Sequence, residues 1–205
     1  MGELEVCAQH LLLALAFFTI LIWRKALLKR VQKTGNPGQR RFLVFFIRNI
    51  KLELGDWRKT VFLAAASAIF VVLSVAWLFG VTPSYDASIP IFLAVVLAPV
   101  SEQFLLVLLL LLGLYVLERL CSRRGLSFKH YELLSSVCCL LFSAFILAAY
   151  HGNFSVYSLV ARFASFLLFG GLWMLSKRNF LPAIVAHSAT NLFLFLVTWL
   201  ALTVF

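Results

Sequence analysis

Glu102, His151, His187 and Asn191 have side chains suited to hydrolysis, and all four stand within or at the end of apolar stretches where a polar group is costly. A carboxylate sheltered from bulk solvent can accept a proton from water and return it to a leaving amine. One histidine can orient that water or share the base role. A second histidine and an amide can donate to the oxyanion that develops on a scissile carbonyl. His187 and Asn191 are four residues apart, so on a helix they lie one above the other on one face. Gln103 and Arg162 complete the set of strongly polar residues inside the last four apolar runs.

Two other chemistries rank lower. No serine or cysteine is placed beside a histidine as an elbow or dyad, which disfavours an acyl-enzyme. Two histidines and one carboxylate also make a zinc set, but the helical His-Glu-x-x-His spacing is absent, so a metal-free site is expected. The competing structural reading is interhelical hydrogen bonding, worth about 1 kcal/mol per contact. For any one residue that reading is at least as good. One glutamate, two histidines and one asparagine on three separate helices fit a water-activating set better.

The elements that must position these residues are membrane helices. Of 205 residues, 63% are apolar and 13% charged, and the mean hydropathy is +1.00. A soluble globule, with about 25% charged residues, covers its surface in a way this chain has no means to match. Six apolar runs are long enough, or nearly so, to cross about 30 Å of hydrocarbon: about 7–23, 60–80, 88–117, 130–151, 155–175 and 180–203. The expected fold is therefore all-α, a polytopic membrane helical bundle of about six spans. Residues 1–59 form an anchor helix plus a basic loop, and 60–205 form the helical core.

The net charge of +10 does not point to nucleic acid, because eleven of the 18 Lys and Arg fall between Arg24 and Lys59. A polybasic segment beside a span is a cytoplasmic topology signal that attracts anionic lipid. Basic residues occupy alternate connections, which puts both termini on the non-cytoplasmic side of an integral protein of the plasma membrane. Arg40 to Trp57 mixes Phe45, Phe46, Ile47 and Ile50 with Arg41 and Arg48, the pattern of an interfacial amphipathic helix. Cys7, Cys121, Cys138 and Cys139 lack metal-finger spacing and read as small hydrophobes. The third run, about 30 residues, is longer than a straight crossing requires, and Pro99 supplies a kink three residues before Glu102.

The order Ala98-Pro99-Val100-Ser101-Glu102-Gln103, a helix ending in His151, Phe169-Gly170-Gly171-Leu172, and Pro182 through His187 to Asn191 resembles the CPBP (Abi) family of intramembrane proteases. That family includes the type II CAAX prenyl endopeptidases and bacteriocin-immunity and sorting-signal relatives. The resemblance covers about residues 90–200. It implies a glutamic-type peptidase in which Glu102 and His151 activate water while His187 and Asn191 stabilise the oxyanion. Its substrate would be a membrane-anchored peptide or protein.

The His-x-x-x-Asn motif matches well, whereas the family's Glu-Glu-x-x-x-Arg motif is altered. Counting from Pro99, the first glutamate falls on Glu102, the second on Gln103 and the arginine on Val107. Arg162, inside the fifth run, is the candidate substitute and is expected to pair with Glu102 or a substrate carboxylate; the rival is an arginine that snorkels to the headgroups. With straight helices, His187 lies about 10 Å in from its basic end and His151 near the opposite surface, so the three groups meet only if helices tilt or shift. The rival functions are a non-catalytic scaffold or immunity-type relative and a small transporter. The transporter would need paired broken helices in an internal repeat, and no such repeat is evident.

Overall fold

Leucine, alanine and phenylalanine fill long stretches without an interior break, and these stretches form helices. A computed structural model describes residues 3–33, 37–53, 57–82, 89–151 and 155–204. Within these, α1 is Glu3–Lys33, α2 Pro37–Asn49, α3 Trp57–Phe79, α4 Ala98–Arg123, α5 Glu132–Tyr150, α6 Val156–Leu175 and α7 Phe180–Val204. A π-helical turn, Leu93–Leu97, leads into α4, and a short 3-10 turn, Phe128–His130, precedes α5. Six of the helices are long and apolar enough to cross a membrane. The all-α bundle expected from hydropathy is the observed fold. The basic-free connections at 81–87 and 152–154 lie largely outside the described residues.

Several boundaries differ from the sequence expectation; the third run, for one, continues past Leu117 to Arg123. The first helix does not stop near residue 23; it continues through Arg24 to Lys33, because no proline or glycine interrupts it. The amphipathic helix begins at Pro37, whose fixed φ suits a first helical position, and ends at Asn49. Residues 50 and 51 then run extended along the α6–α7 turn. Lys51 bridges Asn179, and Phe180 N–H donates to Lys51 O at 3.0 Å.

The core gathers around α4. Leu106, Val107, Leu110 and Leu111 are fully buried, with Phe17 from α1, Phe169 and Trp173 from α6 and Phe180 from α7. Phe17 stacks near Phe180 at 4.9 Å and Phe104 at 5.8 Å, so α1 is packed into the bundle. Small residues let the central helices approach closely. A Cβ on Gly113 would lie 2.8 Å from Cys139 Sγ, and one on Gly170 would lie 2.2 Å from Leu140 Cδ1. Large apolar side chains such as Phe62, Phe70, Trp77 and Leu133 face outward. That is the surface lipid requires.

Candidate active site

Pro99 determines the local course of the chain before Glu102. Having no N–H, it leaves carbonyls of the preceding turn without donors, and the turn widens so that Ala98 N–H reaches back five residues to Leu93 O. Ala94 O then loses both helical donors, since Ala98 N–H is committed and Pro99 has none. Asn191 of α7 supplies the missing donor, with Nδ2 2.7 Å from Ala94 O. The widened turn and α7 are thereby joined one turn beyond His187.

Three helices bring the charged groups together. Glu102 Oε2 on α4 lies 3.4 Å from His151 Nε2 at the end of α5 and 3.6 Å from His187 Nε2 on α7. Side-chain exposure falls from 27% at His151 to 14% at Glu102 and 8% at His187, so the cluster opens on the His151 side. His151 stands about 28 Å along α5 from Glu132, and Glu132 pairs with Arg178 at 3.7 Å, two residues before α7 begins. The three groups that straight helices would keep apart therefore do meet.

Each imidazole is oriented by its other nitrogen. His151 Nδ1 lies 2.8 Å from Leu147 O, and a carbonyl only accepts, so Nδ1 carries hydrogen and donates. His151 Nε2 then presents a lone pair or a second proton to the carboxylate. His187 Nδ1 lies 3.2 Å from Gln103 Nε2, an amide donor, which leaves the His187 hydrogen on Nε2, facing Glu102. Phe169 stacks on the His187 ring at 4.6 Å, and Phe166, one turn away on α6, meets both rings edge-on or tilted, at 6.0 Å from His187 and 5.6 Å from His151. The two aromatic rings fix imidazole planes that would otherwise rotate.

Not every predicted partner is in place. Arg162 forms no ion pair with Glu102, and its Nη1 is buried with no hydrogen-bond partner among the described residues. Its charge still acts on Glu102 and His151. One further histidine escaped the sequence reading, which counted polar residues only in the last four runs. His10 of α1 has Nδ1 2.5 Å from the hydroxyl of Ser101, the residue before Glu102, and it interacts electrostatically with Glu102. A histidine within the first apolar run was the available signal. Among the described residues, no group of three or more His, Cys, Asp or Glu is arranged to hold a metal ion.

The family model described as type II CAAX prenyl endopeptidase Rce1-like matches residues 84–193, more than half of the chain and the stretch holding Glu102, His151, His187 and Asn191. The chain belongs to this family. It is therefore an integral membrane protein of a protease family, in line with its six apolar helices. No curated protein and no solved structure matches the chain. The Rce1-like region excludes α1, so His10 approaches the family's region from a helix outside it.

Proposed function

We propose that the protein is a glutamic-type intramembrane endopeptidase, hydrolysing a peptide bond near a membrane anchor with a water activated by Glu102 and His151. The convergence of two imidazoles on one oxygen of Glu102 carries this reading. Two lone pairs facing each other at 3.4 Å repel, so a proton is readily held between Glu102 and His151. Water bound to this pair gives a proton to the Glu102 carboxylate, at the oxygen not shared with His151, as its own oxygen attacks the carbonyl carbon. His187 Nε2–H donates to the resulting oxyanion, and the proton held by the pair passes to the amine nitrogen as the C–N bond breaks. Asn191 has two amide hydrogens; one braces Ala94 O, and the other is the second oxyanion donor that the family pattern implies.

The substrate on this reading is a membrane-anchored peptide or protein, and the family description makes a prenylated C-terminal peptide the first probe. Arg162 receives a substrate carboxylate at its unpaired Nη1, with Gln103 supporting through His187. The reaction uses no metal. On this reading both termini face away from the cytoplasm, as the alternation of basic connections supports, and the membrane is proposed to be the plasma membrane. The deciding experiment is cleavage of a prenylated peptide by the reconstituted protein and by Glu102→Gln. Loss of cleavage with an unchanged elution profile and helicity supports the enzyme, as does activity that survives a strong chelator. Chelator-sensitive cleavage restored by zinc would instead make the cluster a metal site.

A non-catalytic relative is the second reading, favoured by Gln103 and Val107 at positions where the family pattern has glutamate and arginine. Under that reading no peptide is cleaved, and Glu102→Gln leaves the cellular phenotype intact.

A further inference from the structure

The three helices whose ends are formed by left-handed residues do not end alike. After α3 and α4 the left-handed residue is Gly80 or Gly125, with the following N–H bonded five residues back, Val81 to Ala76 O and Leu126 to Cys121 O. After α6 the same bond, Arg178 N–H to Trp173 O at 2.9 Å, is made with Lys177 and Arg178 both left-handed, φ 57° and 66°. A Cβ disfavours that conformation, and two in succession persist only where the surroundings enforce it. The enforcing contacts are the Lys51 bridge and Asn179, whose amide binds Glu53 O at 2.8 Å and accepts from Glu53 N–H at 3.0 Å.

This clasp directs Arg178 toward α2. Its guanidinium donates to Oδ1 of Asn49, a buried residue whose Nδ2 is held by Phe45 O at 2.6 Å, and it pairs with Glu132. The result is one wall of an open cavity of about 620 Å³ lined by Arg40, Arg41, Arg48, Arg178, Asn49 and Gln32. No carboxylate is among its lining residues. Arg40 donates to Gln32 O, whereas Arg41 and Arg48 have no side-chain partner among the described residues. Arg24 lies outside the cavity, its guanidinium spent on Ile47 O and Arg48 O at the end of α2. Phe46, Ile47 and Ile50 of this segment are buried, so its polar side and the cavity face outward.

We propose that this recess binds a phosphate-bearing anion, either the headgroup of an anionic phospholipid or a soluble phosphate. Glu132 partly offsets Arg178, but Arg40, Arg41 and Arg48 repel one another with no carboxylate paired to them among the described residues, and planar guanidinium forks match phosphate oxygens in pairs. A basic recess beside an interfacial amphipathic helix lies where headgroups are found. Binding there ties α2 to the turn from which α7, with His187, begins.

The test uses the full chain in neutral detergent micelles doped with phosphatidylglycerol or, as reference, phosphatidylcholine, reading lipid retained after gel filtration and the melting temperature. Phosphatidylglycerol is expected to be retained at least tenfold over phosphatidylcholine and to raise the melting temperature. Arg41→Gln with Arg48→Gln abolishes the preference, whereas Arg123→Gln with Arg124→Gln, an equal charge loss at the end of α4, preserves it. Competition by inorganic phosphate at millimolar concentration, with the same dependence on Arg41 and Arg48, assigns the site to a soluble phosphate. Failure of inorganic phosphate to compete assigns it to the lipid headgroup. Retention unaffected by the Arg41 and Arg48 pair, or reduced equally by both pairs, overturns the proposal. Each pair is compared only if it elutes and melts as the parent does without added lipid.

Discussion

Polar groups around Glu102 are few and largely buried, with both histidines tied to particular atoms, whereas those of the α2 recess are numerous, more exposed and partly untied. At the first, His151, His187 and Gln103 are each held by one or two contacts that leave no substitute. At the second, four arginines crowd one cavity and two lack side-chain partners among the described residues. A low-dielectric interior makes every contact individually consequential, while solvent and headgroups make surface charges interchangeable. The first region is built for geometry and the second for net charge. Single substitutions should separate them.

The largest effect belongs to Glu102→Gln, which keeps the shape and removes the base. Cleavage of a prenylated peptide is expected to fall by about 10³-fold or more at unchanged helicity, within the range of general acid–base contributions. Survival of activity would place the carboxylate outside the chemistry.

Asn191→Ala comes next and should act on two readouts at once. It orphans the Ala94 carbonyl, a loss of about 1–3 kcal/mol that thermal denaturation would show, and, if the proposed reaction holds, it removes an oxyanion donor worth about 10²-fold in rate. A rate loss at constant melting temperature would mean that the bond to the widened turn is incidental.

His10→Ala should cost less, about tenfold in rate, because its ring reaches Glu102 only through Ser101 and through space. His10→Gln, which retains a hydrogen-bonding partner for the serine, is expected to recover most of that loss. Equal damage from both substitutions would give the imidazole a direct part in proton transfer.

Smallest of all, Arg48→Gln alone should shift stability by no more than about 0.5 kcal/mol, since neighbouring guanidiniums carry the same charge. A larger change would show that the recess, too, depends on geometry.

The sequence revealed these two regions unequally. Span number and order were readable because an apolar run long enough to cross lipid is a one-dimensional property, and the kink at Pro99 followed from its missing N–H. Glu102, His151 and His187 stood out because ionisable groups are rare in such runs. What sequence could not show was how the spans lie against one another, since that is decided by packing partners far away in the chain. His10 was missed for a related reason: α1 read as an anchor, and Phe17 lodged against Phe104 and Phe180 shows that it is part of the bundle. The clasp at Lys177 and Arg178 was hidden as well, because no glycine marks that left-handed turn.

The brace between Asn191 and Ala94 constrains how a peptide enters. Together with the contact of Gln103 and His187 it stitches the widened turn and α4 to α7, so these elements cannot part without disturbing the two groups proposed to hold the oxyanion. For the membrane-anchored substrate proposed above, that leaves the α5 flank as the way in, where His151 is the most exposed of the three charged groups.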